Sequence, residues 1–165
     1  MTTITGTSGS DTIVAHGPYL EITLSGSPAD GVWPNLNIWV NGAPVDQNIT
    51  VTADHSAGAT QMIEVALTAP VTSFAIQYTN DLFDYSNGQD RNVYLSSVTL
   101  NGVSLDPSTT ATYDRTANGQ YVDTVTGQMN MVWGGSLNFS GAQVQTAGAA
   151  SGASSGPETI DGGEA

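Results

Sequence analysis

The sequence of 165 residues has no cysteine and almost no positive charge: Lys and Arg total 2 against 15 Asp and Glu, a formal net charge of -13. Without cysteine, the chain can form neither disulfides nor thiolate metal sites. Because nucleic acids and anionic membrane surfaces are both recognised by clustered basic residues, the charge argues against either partner. Two explanations of the acidity remain open, namely general solubility and coordination of a hard cation such as calcium.

Long apolar runs and helical periodicity are also missing. No apolar run reaches the ~18 residues that a membrane-spanning helix needs, so membrane insertion is not predicted. The chain instead alternates short β-rich segments with turn dipeptides such as Asn41-Gly42 and Asn101-Gly102. The predicted strands are residues 20–24, 36–40, 49–53, 61–67, 73–78, 92–100, 110–113 and 136–139. This series predicts an all-β fold, specifically a β-sandwich of the jelly-roll type.

The two ends of the chain are similar to each other. Residues 6–14 (GTSGSDTIV) and 153–163 (ASSGPETIDGG) resemble single, incomplete copies of the calcium-binding nonapeptide of RTX proteins. Residues 146–157 (TAGAASGASSGP) are small and polar and predict a flexible linker. We therefore predict a partial repeat at 1–10, a globular domain at 11–145, and a linker with a second partial repeat at 146–165. This arrangement predicts one domain of a longer, secreted bacterial RTX-type chain, located outside the cell or at its surface.

The densest group of polar residues lies in residues 78–94, YTNDLFDYSNGQDRNVY, between two predicted strands. Asp81, Asp84 and Asp90 fall within ten residues, with Arg91 as the nearest basic side chain. Calcium takes six to eight oxygen ligands, and such a loop can supply them. The alternative is that these residues only satisfy backbone groups in turns. Composition leaves both explanations open.

The order of residues in this loop is more specific than its composition. TND, a short loop, DRNVY and a strand ending in VTLNG together resemble the signature of calcium-dependent carbohydrate-binding modules of family 60. The circularly permuted xylan-binding modules of family 36 share that signature. DTIVAH (residues 11–16) and LNIWVNG (36–42) resemble the opening strands, and MNMVWGGSLNF (129–139) resembles the closing strand. The resemblance covers about residues 11 to 140.

The resemblance implies a jelly-roll sandwich with calcium at the loop tip, where open positions on the metal receive two adjacent sugar hydroxyls. It assigns Asp81 and Asp90 as side-chain ligands, with Asn80 as a further candidate that matches the motif. Asp84 is a secondary metal candidate, because no motif position covers it. Backbone carbonyls of the loop and of the segment near Asn130 would complete the shell.

Sugar contacts are predicted for the metal ligands Asp81 and Asp90, for Asn92 and for aromatic rings, on which pyranose C–H faces pack. Phe83 and Tyr85 in the loop and Trp133 beside the closing strand are the aromatic candidates. We expect Arg91 to pair with a carboxylate of its own loop.

These observations predict a non-catalytic, calcium-dependent carbohydrate-binding module for a xylan-like β-glycan or another diol-presenting surface sugar. A structural or adhesive spacer, in which calcium only stiffens the loop, is the alternative. Catalysis is not predicted. His16 and His55 stand in unrelated contexts, no Gly-x-Ser-x-Gly element is present, and carboxylates neutralised by calcium would not supply a general acid.

Overall fold

The computed structural model describes residues 18–149, which form two antiparallel sheets packed face to face. The predicted all-β sandwich is therefore confirmed. No helix among these residues has the length and apolar character needed to span a membrane.

Twelve strands and two short helices make up the described part of the chain. In chain order they are β1 (Tyr19–Ser27), β2 (Asn35–Val40), β3 (Ala43–Thr50), β4 (Gln61–Ala66), β5 (Phe74–Tyr78), β6 (Leu82–Asp84), β7 (Gln89–Leu100), β8 (Val103–Ser104), α1 (Pro107–Thr110), β9 (Ala111–Ala117), β10 (Gln120–Thr126), β11 (Asn130–Met131), β12 (Gly134–Phe139) and α2 (Ala142–Ala149). The first sheet has the order β11-β7-β1-β4, and β6 and β8 also pair with β7. The second sheet has the order β10-β9-β12-β5-β2-β3.

The core lies between the two sheets and is built by the alternation of side chains along each strand. In β2, Leu36, Ile38 and Val40 are buried, while Asn37 and Trp39 point away from the core. The same alternation in β5, β9 and β12 buries the central residues of the second sheet. Each fully buried Leu or Ile contributes about 1.5–3 kcal/mol relative to exposure, so the alternating strands supply most of the stabilisation.

Two strands of the second sheet differ from the sequence-based expectation. β3 occupies Ala43–Thr50 rather than residues 49–53, and β10 (Gln120–Thr126) was not predicted at all. Both strands lie at the edges of the second sheet, and almost all of their side chains are exposed or half-buried. Because neither strand has a buried face, neither carries the alternating apolar pattern that predicts a strand.

The folded domain continues past the predicted boundary at residue 145. α2 runs through Ala149, and Val144, Ala147 and Gly148 are buried. A Cβ placed on Gly148 would lie 2.0 Å from the backbone oxygen of Val71, so the helix packs directly on that segment. The linker prediction is therefore wrong for residues 146–149. Residues 1–17 and 150–165, with both partial repeats and the DTIVAH segment, lie outside the described residues.

Candidate functional site

The Asp-rich loop is a β-hairpin rather than an irregular loop. β6 pairs with the start of β7, which places Leu82 opposite Arg91 and Phe83 opposite Asp90. Gly88, with φ 71°, closes the turn, and its N–H donates to the backbone oxygen of Asp84 over 2.8 Å. Since successive side chains of a strand point to opposite faces, the hairpin presents two different sets of residues. One face carries Phe83 and Asp90, and the other carries Leu82 and Arg91.

The face that carries Phe83 and Asp90 lines a cleft of about 330 Å³, which we call the first cleft. The opposite wall comes from the segment before β12 and from the end of β9. The first cleft brings together five of the predicted site residues with two that were not predicted: Asp81, Phe83, Tyr85, Asp90 and Trp133, with Ala117 and Val132. Residues that are separated by up to 52 positions in sequence thus meet at one end of the sandwich.

The two carboxylates of the first cleft influence each other. Desolvation raises the pKa of Asp81, and the negative charge of Asp90 raises it further. Backbone N–H groups of Gly134 and Leu82 donate to Asp81 and oppose part of this effect. A carboxylate with a raised pKa beside a second carboxylate is disfavoured in its charged form, and a bound cation would remove that penalty.

Asn92 supplies an oxygen that has no partner. Its Nδ2 donates to Oδ2 of Asp90 over 2.9 Å and its backbone N–H donates to Oγ of Ser27 over 3.1 Å. Ser27 in turn donates to the backbone oxygen of Asp90 over 2.7 Å. Oδ1 of Asn92 is buried without a hydrogen-bond partner among the described residues. Asn92 does not line the first cleft, but its orphaned oxygen lies on the residue that orients Asp90. With the two carboxylates it gives a set of hard oxygen donors that fits calcium.

Asn80 anchors the hairpin to the preceding loop. Its Oδ1 accepts from the backbone N–H of Asn35 over 2.7 Å, and its Nδ2 donates to the backbone oxygen of Trp33 over 3.0 Å. Both polar atoms of the side chain are therefore used by the protein. The structure places Asn80 behind the hairpin as a positioning residue, outside the residues that line the first cleft.

Arg91 lies on the opposite face of the hairpin from Asp90 and is buried. Its guanidinium donates to three backbone oxygens, those of Val32 over 2.8 Å, Asn80 over 2.5 Å and Ala29 over 2.7 Å. Tyr78 donates from its hydroxyl to the backbone oxygen of Arg91 over 2.5 Å. The expectation that Arg91 pairs with a carboxylate is wrong, because strand alternation points it away from the carboxylates of the first cleft.

Asp84 is not part of the first cleft. Its Oδ1 accepts from the backbone N–H of Ser86 over 2.8 Å and from the Ser86 hydroxyl over 2.7 Å. These hydrogen bonds lower the pKa of Asp84, so its charge is stabilised within its own turn. Within residues 18–149, no three His, Cys, Asp or Glu side chains are grouped so that they could hold a metal. The carboxylates offered to a cation are the pair Asp81 and Asp90.

Aromatic rings surround the carboxylate pair on the solvent side. Phe83 and Tyr85 pack edge to face with ring centroids 4.7 Å apart, and their exposed fractions are 46% and 91%. Trp133 is 38% exposed, and Cζ of Arg115 lies 5.0 Å from its ring centroid. The hydroxyl of Tyr113 donates to the backbone oxygen of Trp133 and holds this segment in place. Exposed rings beside oxygen ligands are suited to packing on sugar rings.

The segment that faces the carboxylates lies slightly further along the chain than predicted. The backbone oxygen of Asn130 accepts from Nε2 of Gln128 over 2.8 Å, whereas Val132 and Trp133 line the first cleft and Gly134 donates to Asp81. Sequence reasoning also missed Ala117, at the start of the turn between β9 and β10. The dipeptide Asn118-Gly119 was a visible turn signal, but nothing in the sequence alone places that turn beside the hairpin.

Comparison with known proteins agrees with this geometry. The family model described as "Ca-dependent carbohydrate-binding module xylan-binding" (CBM60) matches residues 19–115, which is more than half of the chain. No curated protein matches the sequence. Among solved structures, the chain resembles "vCBM60 in complex with galactobiose" with a TM-score of 0.54 and 18% identity, covering 74% of this chain and 97% of that one.

A second similar structure is the selenomethionine form of vCBM60, described as part of a link by circular permutation between two families of calcium-dependent carbohydrate-binding modules. Its TM-score is 0.52 at 18% identity, and the match covers 74% of this chain and 90% of that one. At this identity both structures establish the fold alone. Together with the family match, which spans β1 to the middle of β9 and includes the whole hairpin, they lead to one conclusion: the chain belongs to the CBM60 family of Ca-dependent, xylan-binding carbohydrate-binding modules.

Proposed function

We propose that this domain binds a polysaccharide without altering it, through a calcium ion held in the first cleft. One observation carries the proposal: Asp81 and Asp90, from the two sides of one hairpin, share a cleft with exposed aromatic rings. The raised pKa of Asp81 supports a cation there, since two carboxylates with no basic side chain in the cleft repel each other.

Asp81, Asp90 and the free oxygen of Asn92 are the side chains that would hold the ion. Asn92 would also keep the Asp90 carboxylate oriented through the hydrogen bond from its Nδ2. Calcium accepts more oxygen ligands than these side chains provide, so two adjacent sugar hydroxyls can occupy positions otherwise taken by water. Selectivity would then depend on the relative orientation of those hydroxyls.

The aromatic residues would add contacts to the sugar ring. Phe83 lies directly opposite Asp90 in the hairpin, and Tyr85 packs against Phe83. Trp133 faces them across the first cleft. A site with few polar groups and three partly exposed rings predicts modest affinity, and favours a xylan-like β-glycan or another sugar with a suitable diol. The galactobiose in the similar vCBM60 structure supports a sugar ligand, and it is a different sugar from the xylan of the family description.

The spacer alternative, in which calcium only stiffens the hairpin, is disfavoured by the contacts behind the hairpin. Arg91 and Asn80 make five hydrogen bonds with backbone groups behind the hairpin. Protein groups thus already fasten the hairpin, which leaves little for a stiffening ion to add.

A glycosidase also has paired carboxylates, so the same cleft must be compared with a catalytic one. Here Asp90 is tied to Asn92 and Asp81 to two backbone N–H groups, and the cleft opens broadly to solvent. CBM60 is a family of non-catalytic modules, which supports binding without hydrolysis. The flanking partial repeats support the further proposal that the parent protein is a secreted bacterial RTX-type protein.

The proposal is tested by isothermal titration of xylobiose and by retention on a xylan affinity gel, each with calcium and with EDTA. We expect binding in calcium, loss of binding in EDTA, and loss of binding in Asp90→Ala. Asp84→Asn is the matched control, because it removes a charge from the same hairpin outside the first cleft, and it should bind like the wild type. Binding that persists in EDTA would contradict the calcium-dependent mechanism. Calcium binding without retention on any glycan would favour the spacer.

A further inference from the structure

A second cleft adjoins the first, and Phe83 and Tyr85 line both of them. Its volume is about 390 Å³, and it shares Asp81, Phe83, Tyr85 and Ala117 with the first cleft. Its remaining wall includes Thr79, Thr116, Asn118 and Gly134. Thr116 and Asn118 lie beyond residue 115, where the match to the family ends. This part of the wall therefore lies outside the residues that the family model matches.

The second cleft opens onto the outer face of the second sheet. Residues two apart in a strand point to the same face of the sheet. Thr79 therefore lies on the same face as Gln77, and Thr116 lies on the same face as Asp114. Gly134 likewise lies on the same face as Ser136. The intervening residues Tyr78, Arg115 and Gly135 point the other way or have no side chain. The polar wall of the second cleft is consequently the end of a longer polar surface.

That surface is a row of side chains in register across three central strands. Gln77 of β5 pairs with Ser136 of β12, which pairs with Asp114 of β9. Their neighbours in the strands, such as Ile76 and Leu137, are buried in the core, so the row points to solvent. Sugar hydroxyls need donors and acceptors of this kind, arranged on a rigid support.

Neighbouring residues hold the two ends of this row in place. Nδ2 of Asn37 and Nε1 of Trp39 each donate to Oε1 of Gln77 over 3.1 Å. Oγ1 of Thr124 donates to Asp114 over 2.5 Å and Nδ2 of Asn138 donates to it over 2.9 Å. The Ser136 hydroxyl, at the centre of the row, has no hydrogen-bond partner among the described residues. The row is thus preorganised at both ends and has an unused hydroxyl in its centre.

Gly134 lines the second cleft and is buried there. A Cβ placed on Gly134 would lie 3.0 Å from Oγ1 of Thr116 and 3.4 Å from Cβ of Asp81. The glycine therefore allows the hairpin and the end of β9 to pack closely on β12, and any larger residue would displace them. At this point the wall of the second cleft is backbone, with no side chain between Asp81 and Thr116.

We propose that one glycan chain extends from the first cleft, past Gly134, along the outer face over Gln77, Ser136 and Asp114, which we call the track. The inference rests on the proposed function, because the first cleft anchors the chain. The two-residue step from Gly134 to Ser136 along β12 measures roughly 6.6–6.8 Å, and Gln77 and Asp114 lie on the neighbouring strands about 4.7–4.9 Å to either side. The track therefore adds room for at least one further sugar unit beyond the one at the first cleft. The module therefore recognises a polymer rather than a chain end alone.

The protein's own charges along the track favour a neutral polymer over an acidic one. Asp81, Asp90 and Asp114 lie on the path, and the chain has only two basic residues, Arg91 and Arg115. Arg91 is buried against backbone oxygens, and Arg115 forms an ion pair with Asp123. No basic side chain is left on the track to bind the carboxylates of a uronic-acid polymer, so positive charge would come only from the calcium proposed in the first cleft.

The test compares xylobiose with xylohexaose by titration in calcium, in the wild type and in Ser136→Leu. We expect xylohexaose to bind about tenfold more tightly than xylobiose to the wild type. Ser136→Leu places an apolar side chain on the track, and should remove this tenfold advantage while leaving xylobiose binding unchanged. Ser97→Leu, the same substitution at an exposed position of β7 in the other sheet, is the matched control and should behave like the wild type.

The outcomes separate the track from the proposed function. If both ligands bind in a calcium-dependent manner with equal affinity, or if Ser136→Leu leaves the advantage of xylohexaose intact, the track is overturned and the proposed function stands. If neither ligand shows calcium-dependent binding, the proposed function fails and the track fails with it. Tighter binding of polygalacturonate than of xylohexaose would overturn the selection of a neutral polymer.

Discussion

Nδ2 of Asn92 donates a 2.9 Å hydrogen bond to Oδ2 of Asp90, while Oδ1 of the same Asn92 side chain is buried without a partner among the described residues. The two residues stand two apart in β7 and so point to the same face of the hairpin. Asn92 thus orients one acidic ligand and offers an oxygen itself. A buried oxygen without a hydrogen bond destabilises the folded protein, and a bound ion would remove that penalty.

Replacing Asn92 should weaken calcium binding. Asn92→Ala removes both the hydrogen bond to Asp90 and the free oxygen, and we expect the calcium affinity to fall by about tenfold to a hundredfold. Isothermal titration with calcium measures the change. Asn87→Ala is the control, because the side chain of Asn87 contacts Gln89 and Asp84 within the turn and does not line the first cleft. An unchanged calcium affinity in Asn92→Ala would remove Asn92 from the proposed ligand set.

Replacing Asp81 should have opposite effects on stability with and without calcium. A raised carboxyl pKa means that the ionised form destabilises the folded state above that pKa, and that this penalty disappears as the pH falls through it. Near neutral pH in EDTA, Asp81→Asn should therefore unfold at a temperature about 2 °C higher than the wild type, since solvent screens part of the effect.

Added calcium should reverse this order by stabilising the wild type alone. Differential scanning calorimetry in both conditions measures the midpoints. Asp84→Asn is the control of opposite sign, because the pKa of Asp84 is lowered and its charge stabilises the fold. A wild type that gains no stability from calcium would contradict the proposed site.

Replacing Arg91 should destabilise the whole domain and not only the hairpin. Arg91→Lys cannot reach the backbone oxygens of Ala29, Val32 and Asn80 together, and leaves buried acceptors without donors. We expect the free energy of unfolding to fall by about 2–3 kcal/mol, as measured by urea denaturation. Arg115→Lys, in a surface ion pair with Asp123, should have a much smaller effect. If both substitutions lowered the free energy of unfolding equally, the buried hydrogen bonds of Arg91 would stabilise the fold no more than a surface ion pair does.

Asp106 caps the N-terminus of α1, and acid should remove the stabilisation that its charge gives to the fold. Hydrogen bonds from Ser108 lower the pKa of Asp106 below the model-peptide value of 3.8. A lowered carboxyl pKa stabilises the fold above the unfolded-state value, and this stabilisation is lost as the pH falls through the folded-state value. The difference in urea midpoint between the wild type and Asp106→Ala should therefore be full at about pH 7 and shrink below about pH 4. Ser108→Ala should reproduce only part of that loss, because the backbone N–H of residue 108 still donates to Asp106. A difference independent of pH would contradict the charge-based cap.

The sequence predicted those parts of the fold in which each strand has a buried face. β1, β2, β5, β7 and β12 alternate buried and exposed residues over most of their length, and their positions were predicted to within a few residues. β10 and most of β3 are edge strands with exposed side chains, and their formation depends on pairing with β9 and β2. Pairing between distant segments leaves no periodic pattern in either segment, so these strands could not be predicted locally.

For the site, the sequence predicted which loop was important but not which way its side chains point. Asp84 and Asp90 are equally acidic in the sequence, yet only Asp90 lies in the first cleft, because the register of β6 on β7 pairs Phe83 with Asp90. Arg91 was expected beside a carboxylate, and the same register points it to the opposite face. Thr116 and Asn118 were not predicted because their proximity to the hairpin depends on the packing of the two sheets.

Because side chains of the hairpin alternate between two faces, its ligand-contacting residues can change in evolution separately from the residue that anchors it. Residues that would contact ligand, such as Phe83, lie on one face, while Arg91, which fastens the hairpin, lies on the other. Substitutions on the ligand face can therefore alter sugar preference without loosening the fold, and the fastening residue remains under constraint for stability alone. One anchored hairpin can therefore present ligand-binding residues for many different sugars.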